Sequence, residues 1–254
     1  LHLSQKKPED LELLVKMMEK FNKQNQELRF GTFIFGPVVM RTFYYLDEPQ
    51  VALSTFKNPE LERFFDQPIS CQLLMCLLYK HQMYSDIRDV YDTIRKKHVD
   101  GKIFGSNCLI VVAAACYKEN TPESFDYIVT LWKELNAKGY TATRKAITFI
   151  AALALNQNRD GAALEILTAI KESRYIATRC LRVLAFAKLN KFMEIIPIFR
   201  SSLDYSSPHS QKESYFHDVI EVLENKLEQA QVSKDDELFK LLSDLKQNEH
   251  ITYT

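Results

Sequence analysis

An apolar pair recurs along the middle of this chain at a spacing that suits helical hairpins: Val90-Tyr91, Leu131-Trp132, Ile166-Leu167 and Ile198-Phe199, at separations of 41, 35 and 32 residues. Four residues before the second member of each pair stands another apolar or small residue, Ile87, Ile128, Ala163 and Ile195. The next turn adds Ile94, Leu135, Ile170 and, as a polar departure, Ser202. In each case an apolar helix and a short polar turn precede the pair, so each unit reads as two helices. A hairpin of this size cannot bury both of its apolar faces alone, and stacked neighbours must cover them. The expected fold is therefore all-α: a right-handed α-solenoid of stacked helical hairpins with N- and C-terminal capping helices. Only 6 Gly and 8 Pro in 254 residues leave little for the turns of a sandwich or barrel. An ordinary helical bundle with accidental spacing is the rival.

The expected boundaries are 1–67 for the N-terminal helices, 68–210 for about four hairpins and 211–254 for an acidic helical cap. The hairpins are placed at 68–102, 103–143, 144–178 and 179–210. The second runs long, and its excess is expected at the turn Asn120-Thr121-Pro122-Glu123 and the end of the helix before it. The fourth carries Pro197 inside its second helix, where a kink is expected. Ahead of the repeats, Pro8 followed by Glu9 and Asp10 starts a helix over about 8–22, and Pro37 enters or bends another. Behind them, Leu238 to Leu245 reads as a helix opened by Ser233, with Asp236 three residues on.

Lys plus Arg and Asp plus Glu both number 33, but they are unevenly spread. Residues 69–202 hold 19 basic and 12 acidic groups, whereas 203–254 hold 5 and 11. A basic middle beside an acidic end suggests a polyanion-facing segment followed by a solvated or self-shielding one; helices with solvated charged faces are the alternative. The five cysteines, Cys71, Cys76, Cys108, Cys116 and Cys180, lie in apolar stretches without C-x-x-C spacing, and are expected to be reduced, buried and intracellular. The longest apolar runs are about half the length needed to cross a bilayer, so a soluble chain is expected. The sequence opens at Leu1 rather than Met, so a leader or larger N-terminal piece is expected ahead of it.

The first unit resembles a pentatricopeptide repeat through Gln72 opening the inner helix, Leu74-Met75, Lys80, Ile87, Val90-Tyr91, Ile94 and His98-Val99. The second is similar through Asn107, Leu131-Trp132, Leu135 and Gly139-Tyr140, and the third through Thr148, Ala163, Ile166-Leu167, Ile170 and Arg174-Tyr175. The usual closing Asp is replaced by Thr143 and Thr178, and the Pro before it by Ala142 and Ala177. The resemblance covers more than half of the chain, with degenerate motifs like those of the animal mitochondrial members. It implies single-stranded RNA of mitochondrial transcripts as the ligand, RNA-processing proteins as further partners, a matrix location, and support of transcript processing, stability or translation.

What the resemblance implies residue by residue is a base-facing set of Gln72 with Lys102, Asn107 with Thr143, and Thr148 with Thr178. Ile69 and Phe104 are placed to pack against bases, and Arg144, Lys145, Arg179, Arg182 and Lys188 to contact phosphates. Helix capping competes for Asn107 and Thr148, and plain solvation for each cation. The chain carries no H-E-x-x-H, no G-x-x-x-x-G-K-[ST], no G-x-S-x-G and no zinc-deaminase signature, so no enzyme activity, cofactor or metal is expected. The rival function is a tetratricopeptide-like protein scaffold within a mitochondrial ribonucleoprotein. A hidden nuclease would need converging carboxylates.

Overall fold

The computed structural model describes residues 8–27, 35–97, 106–170, 175–204, 212–233 and 236–253. Three helices come first: α1 (Pro8–Glu27), α2 (Gly36–Leu46) and α3 (Pro49–Lys57), followed by a 3-10 turn at Pro59–Leu61. Four hairpins follow: α4 (Pro68–Lys80) with α5 (Tyr84–Lys97), α6 (Ser106–Glu119) with α7 (Pro122–Ala137), α8 (Arg144–Asn156) with α9 (Asp160–Leu167), and α10 (Ile176–Lys188) with α11 (Ile196–Leu203). Two further helices, α12 (His217–Gln229) and α13 (Glu237–Gln247), come last. The fold is an all-α helical repeat. Among the described residues the only extended pairing is a parallel one of two residues on each side, β1 (Tyr215–Phe216) against β2 (Ile251–Thr252). The chain forms two compact units, Leu1–Ala115 and Cys116–Thr254.

Short-range chemistry sets the helix ends. Proline sits in the first turn of α2, α3, α4, α7 and α11, where its missing N–H costs nothing. All four inner helices end in a left-handed residue, Gln82, Asn120, Asn158 and Asn190, and after three of them the chain closes back on the helix. The next amide then reaches back across the final turn: Met83 to the Leu78 carbonyl, Arg159 to Ala154 and Lys191 to Phe186. Asn tolerates this conformation best among residues with a Cβ, and the turn satisfies carbonyls that the helix end leaves open. Gly36 answers a different need, since a Cβ there would lie 2.4 Å from the Phe64 carbonyl oxygen.

The repeating apolar positions are where the hairpins pack. Ile87, Val90 and Tyr91, Ile128, Leu131 and Trp132, Ala163, Ile166 and Leu167, and Ile195 and Phe199 are all buried. Ser202, the polar departure, is buried too. Its hydroxyl lies 2.7 Å from the Tyr215 hydroxyl, 2.9 Å from Glu213 Oε2 and 3.1 Å from the Ile198 carbonyl. A side chain buried with those partners satisfies its polar atom and keeps the apolar column intact. Phe199, Cys180 and Val183 continue into Val219, Leu223 and Leu242, so the last hairpin and the two closing helices share one core.

Three sequence expectations shift. Part of the surplus length of the second hairpin lies in its helices, α7 having 16 residues against 14 in α5 and α6 having 14 against 13 in α4; the turn between α6 and α7 is only Asn120-Thr121. Thr121 caps α7 in a reciprocal box with Ser124, and that box makes a tight turn sufficient. Pro197 does not kink a continuous helix. Residues Phe192–Glu194 form a 3-10 turn, and α11 starts afresh with proline in its first turn. The cap of α13 is Asp236, whose carboxylate accepts the Leu238 amide at 2.9 Å; Ser233 lies further upstream.

Candidate functional site

The residues that open successive inner helices are the natural place for a ligand, because they are near the surface and recur once per hairpin. In Leu1–Ala115, Asn107 on α6 donates to Gln72 Oε1 on α4 at 3.3 Å, which sets two openers 35 positions apart side by side. Asn107 is exposed and Gln72 half-buried, so amide groups of the pair remain open to a further partner. Ile69 is exposed one turn away at the start of α4. Lys102 and Phe104 lie outside the described residues.

In Cys116–Thr254 the openers behave differently. Thr143 caps α8, its hydroxyl accepting the Ala146 amide at 3.4 Å. Thr148 donates back to the Arg144 carbonyl at 2.9 Å, a common helical resting place that leaves its oxygen able to accept. Thr178 is 0% exposed and its hydroxyl has no hydrogen-bond partner. The base contact expected of Thr178 is therefore closed off by burial.

The cations divide in the same way. Lys145 is exposed, and the half-buried Arg144 lays its guanidinium over the ring of Tyr175. Arg179, by contrast, is 2% exposed. It pairs with Glu213 at 3.2 Å, donates to the Ser214 carbonyl at 3.1 Å and faces the Tyr215 ring. Arg182 donates to the carbonyls of Leu167 at 3.2 Å and Ile170 at 2.6 Å, fastening α10 to the end of α9. Burial lowers its pKa from the ordinary arginine value. Lys188 donates to the Leu155 carbonyl at 2.8 Å and lies 3.8 Å from Asp160, fastening α10 to the α8–α9 turn. Arg179 is thus corrected from a phosphate contact by its burial, while the half-buried Arg182 and Lys188 tie neighbouring elements together through main-chain carbonyls.

The uneven charge acquires a structural meaning here. Arg179 pairs with Glu213 and Arg200 with Glu237, so part of the basic middle is neutralised by the acidic end within the same unit. Around that seam, desolvation pushes the Cys180 thiol up to about 11 and the Tyr215 hydroxyl up to about 12. Both groups stay protonated at neutral pH and act as packing. Among the described residues no group of three His, Cys, Asp or Glu side chains is arranged to hold a metal ion, and no helix is long and apolar enough to cross a membrane.

No family model matches the chain. Individual relatives do. The chain is 29% identical over 245 residues to the pentatricopeptide repeat-containing protein 2, mitochondrial, of Homo sapiens, covering 95% of this chain and 62% of the relative. It is 30% identical over 234 residues to the protein of that name in Mus musculus, covering 91% and 61%, and 28% identical over 219 residues to the one in Danio rerio, covering 86% and 57%. Over most of its length the chain is thus similar to proteins named for the pentatricopeptide repeat. The chain spans about three-fifths of the length of the curated relatives it matches.

Against the pentatricopeptide repeat pattern, the closing positions depart in an informative way. The frame Tyr-x-Ala-Thr-Arg occurs at 140–144 and again at 175–179. The usual closing Asp falls on Thr143 in one copy and on Thr178 in the other, and only Thr143 is near solvent. The two tyrosines are the residues that the family pattern hides: they occupy a slot ordinarily given to an apolar residue, yet Tyr140 is 39% exposed and Tyr175 is 46% exposed. Their exact recurrence after 35 residues is the signal that singles them out.

Proposed function

We propose that this protein acts in the mitochondrion by binding single-stranded RNA, and that it supports transcript maturation or stability by holding and shielding the strand rather than by turning it over. The observation that carries this reading is the Gln72–Asn107 pair. Amide side chains of two consecutive openers touch at one-repeat spacing, and amides are the groups best suited to the hydrogen-bonding edges of unstacked bases. The related proteins are named mitochondrial, which supports the location. Restriction to the matrix, and cooperation with a separate nuclease, belong to the same proposal.

Fluorescence polarisation with a labelled single-stranded 12-mer tests it. Affinity is expected to fall steeply with salt, and a matched duplex is expected to bind less tightly. Replacing Gln72 and Asn107 together by Ala should weaken single-strand binding by about tenfold without changing the salt slope, since no phosphate contact is removed. Binding that ignores salt, or a double variant with unaltered affinity, rejects the reading.

A protein-scaffold role draws on one different feature. An apolar cleft of about 350 Å³ opens among α1, α2 and Phe64, lined by Leu14, Met17, Phe21, Phe35 and Val38. Partners recovered equally well after nuclease treatment would favour that role.

A further inference from the structure

The geometry points to Tyr175 as a stacking platform for one unpaired base, a contact that rests on the single-stranded RNA reading above and adds a site outside the helix-opening residues. Tyr175 precedes the first turn of α10 and makes no side-chain cap hydrogen bond there. Tyr175 is 46% exposed, whereas Tyr91 on α5 and Tyr215 on β1 are fully buried. One face is taken by the guanidinium of Arg144. That cation comes from the first turn of the preceding inner helix, so the ring is held between two consecutive hairpins.

A ring gripped on one face by a cation is already oriented, which removes much of the entropy cost of stacking a base on the other. The cation also draws electron density from the ring and sits where a neighbouring phosphate would run. The first turn of α8 contains no acidic residue; Arg144 and the exposed Lys145 stand there instead. Cations at a helix N-terminus work against the helix dipole, so that end is left strongly positive. Aromatic ring, flanking cations and positive helix end together fit a nucleotide: base on Tyr175, phosphate towards Lys145.

The test uses the full 254-residue chain and single-stranded oligo(A) and oligo(U) 12-mers. Tyr175→Ala is expected to weaken both by about tenfold, with an unchanged salt slope, because no charge is lost. Tyr175→Phe should bind like the parent, since stacking needs the ring and not the hydroxyl. Tyr175→Trp should retain affinity, and RNA should quench the introduced indole; the single native tryptophan, Trp132, is buried. Arg144→Gln should weaken binding and lower the salt slope by about 0.7. If the parent protein binds RNA while Tyr175→Ala binds equally well and the introduced indole stays unquenched, the platform is wrong and the RNA reading stands. Failure of the parent to bind either oligomer removes both. Quenching in Tyr175→Trp decides the matter even where Tyr175→Ala proves less stable.

Discussion

The two copies of Tyr-x-Ala-Thr-Arg share four residues in register and have opposite fates. At 140–144 the helix begins only with the arginine: Thr143 caps α8, and Arg144 reaches out over a tyrosine. At 175–179 the helix begins three positions earlier in the frame, directly after Tyr175, so Thr178 and Arg179 are drawn into the first turns of α10 and buried. What differs is the neighbour. The start of α10 is covered by β1 and its flanking residues, where Glu213 and Ser214 receive the guanidinium and Tyr215 packs against it. The same local sequence therefore serves as a surface element or as a core anchor according to what folds onto it, as expected when tertiary packing overrides local preference.

The sharpest way to break this comparison is to treat the two arginines alike. Arg179→Met should destabilise the protein by about 3 kcal/mol, because it leaves the Glu213 carboxylate without its buried partner, whereas Arg144→Met should change stability by less than about 0.5 kcal/mol. Urea unfolding followed by circular dichroism gives both values; equal losses would dissolve the distinction.

Alkali should loosen the buried copy. The folded-state values of Cys180 and Tyr215 lie above their free values, at about 11 and about 12. Their contribution is whole below the unfolded thiol's pKa and is lost as pH rises through about 9 to 12. Thermal melts across that interval should show a decline, and Cys180→Ala combined with Tyr215→Phe should lessen it, leaving the part due to Cys108 and Tyr91, whose values burial also raises. At the position equivalent to Cys180 the first copy has Lys145, which adds nothing to this decline.

The smallest effect is the most discriminating, because it predicts opposite signs at equivalent positions. Thr143→Val removes a helix cap and should cost about 1 kcal/mol. Thr178→Val replaces a buried hydroxyl that has no partner and should stabilise by up to about 1 kcal/mol. Paired melts of the two single variants measure the contrast directly.

The hairpins were legible in the sequence because a buried column must repeat wherever helices stack: Ile87, Ile128, Ala163 and Ile195 mark it without any knowledge of neighbours. Element lengths were less so, since the Thr121–Ser124 box and the fresh start at Pro197 depend on backbone geometry that a list of residues does not carry. The site was legible only in part. The repeat pattern makes Gln72 and Asn107 openers of consecutive repeats but pairs them with Lys102 and Thr143 rather than with each other, and counting charges assigned Arg179, Arg182 and Lys188 to a ligand when their partners are Glu213 and main-chain carbonyls. A carbonyl leaves no letter in a sequence, and Glu213 lies beyond the repeats altogether. Tyr175 was overlooked for the converse reason: its slot in the pattern is usually apolar, and only exposure reveals that it faces outward.

The grip of Arg182 and Lys188 on carbonyl oxygens has a consequence for how such a chain can drift. A clasp that holds the main chain is indifferent to the spelling of the hairpin it seizes, so Leu167, Ile170 and Leu155 can be exchanged for other residues of similar size without releasing it. Wording can erode from one unit to the next while the masonry keeps its joints, and a lineage built this way is recognised by kinship between whole chains long after any single motif has faded.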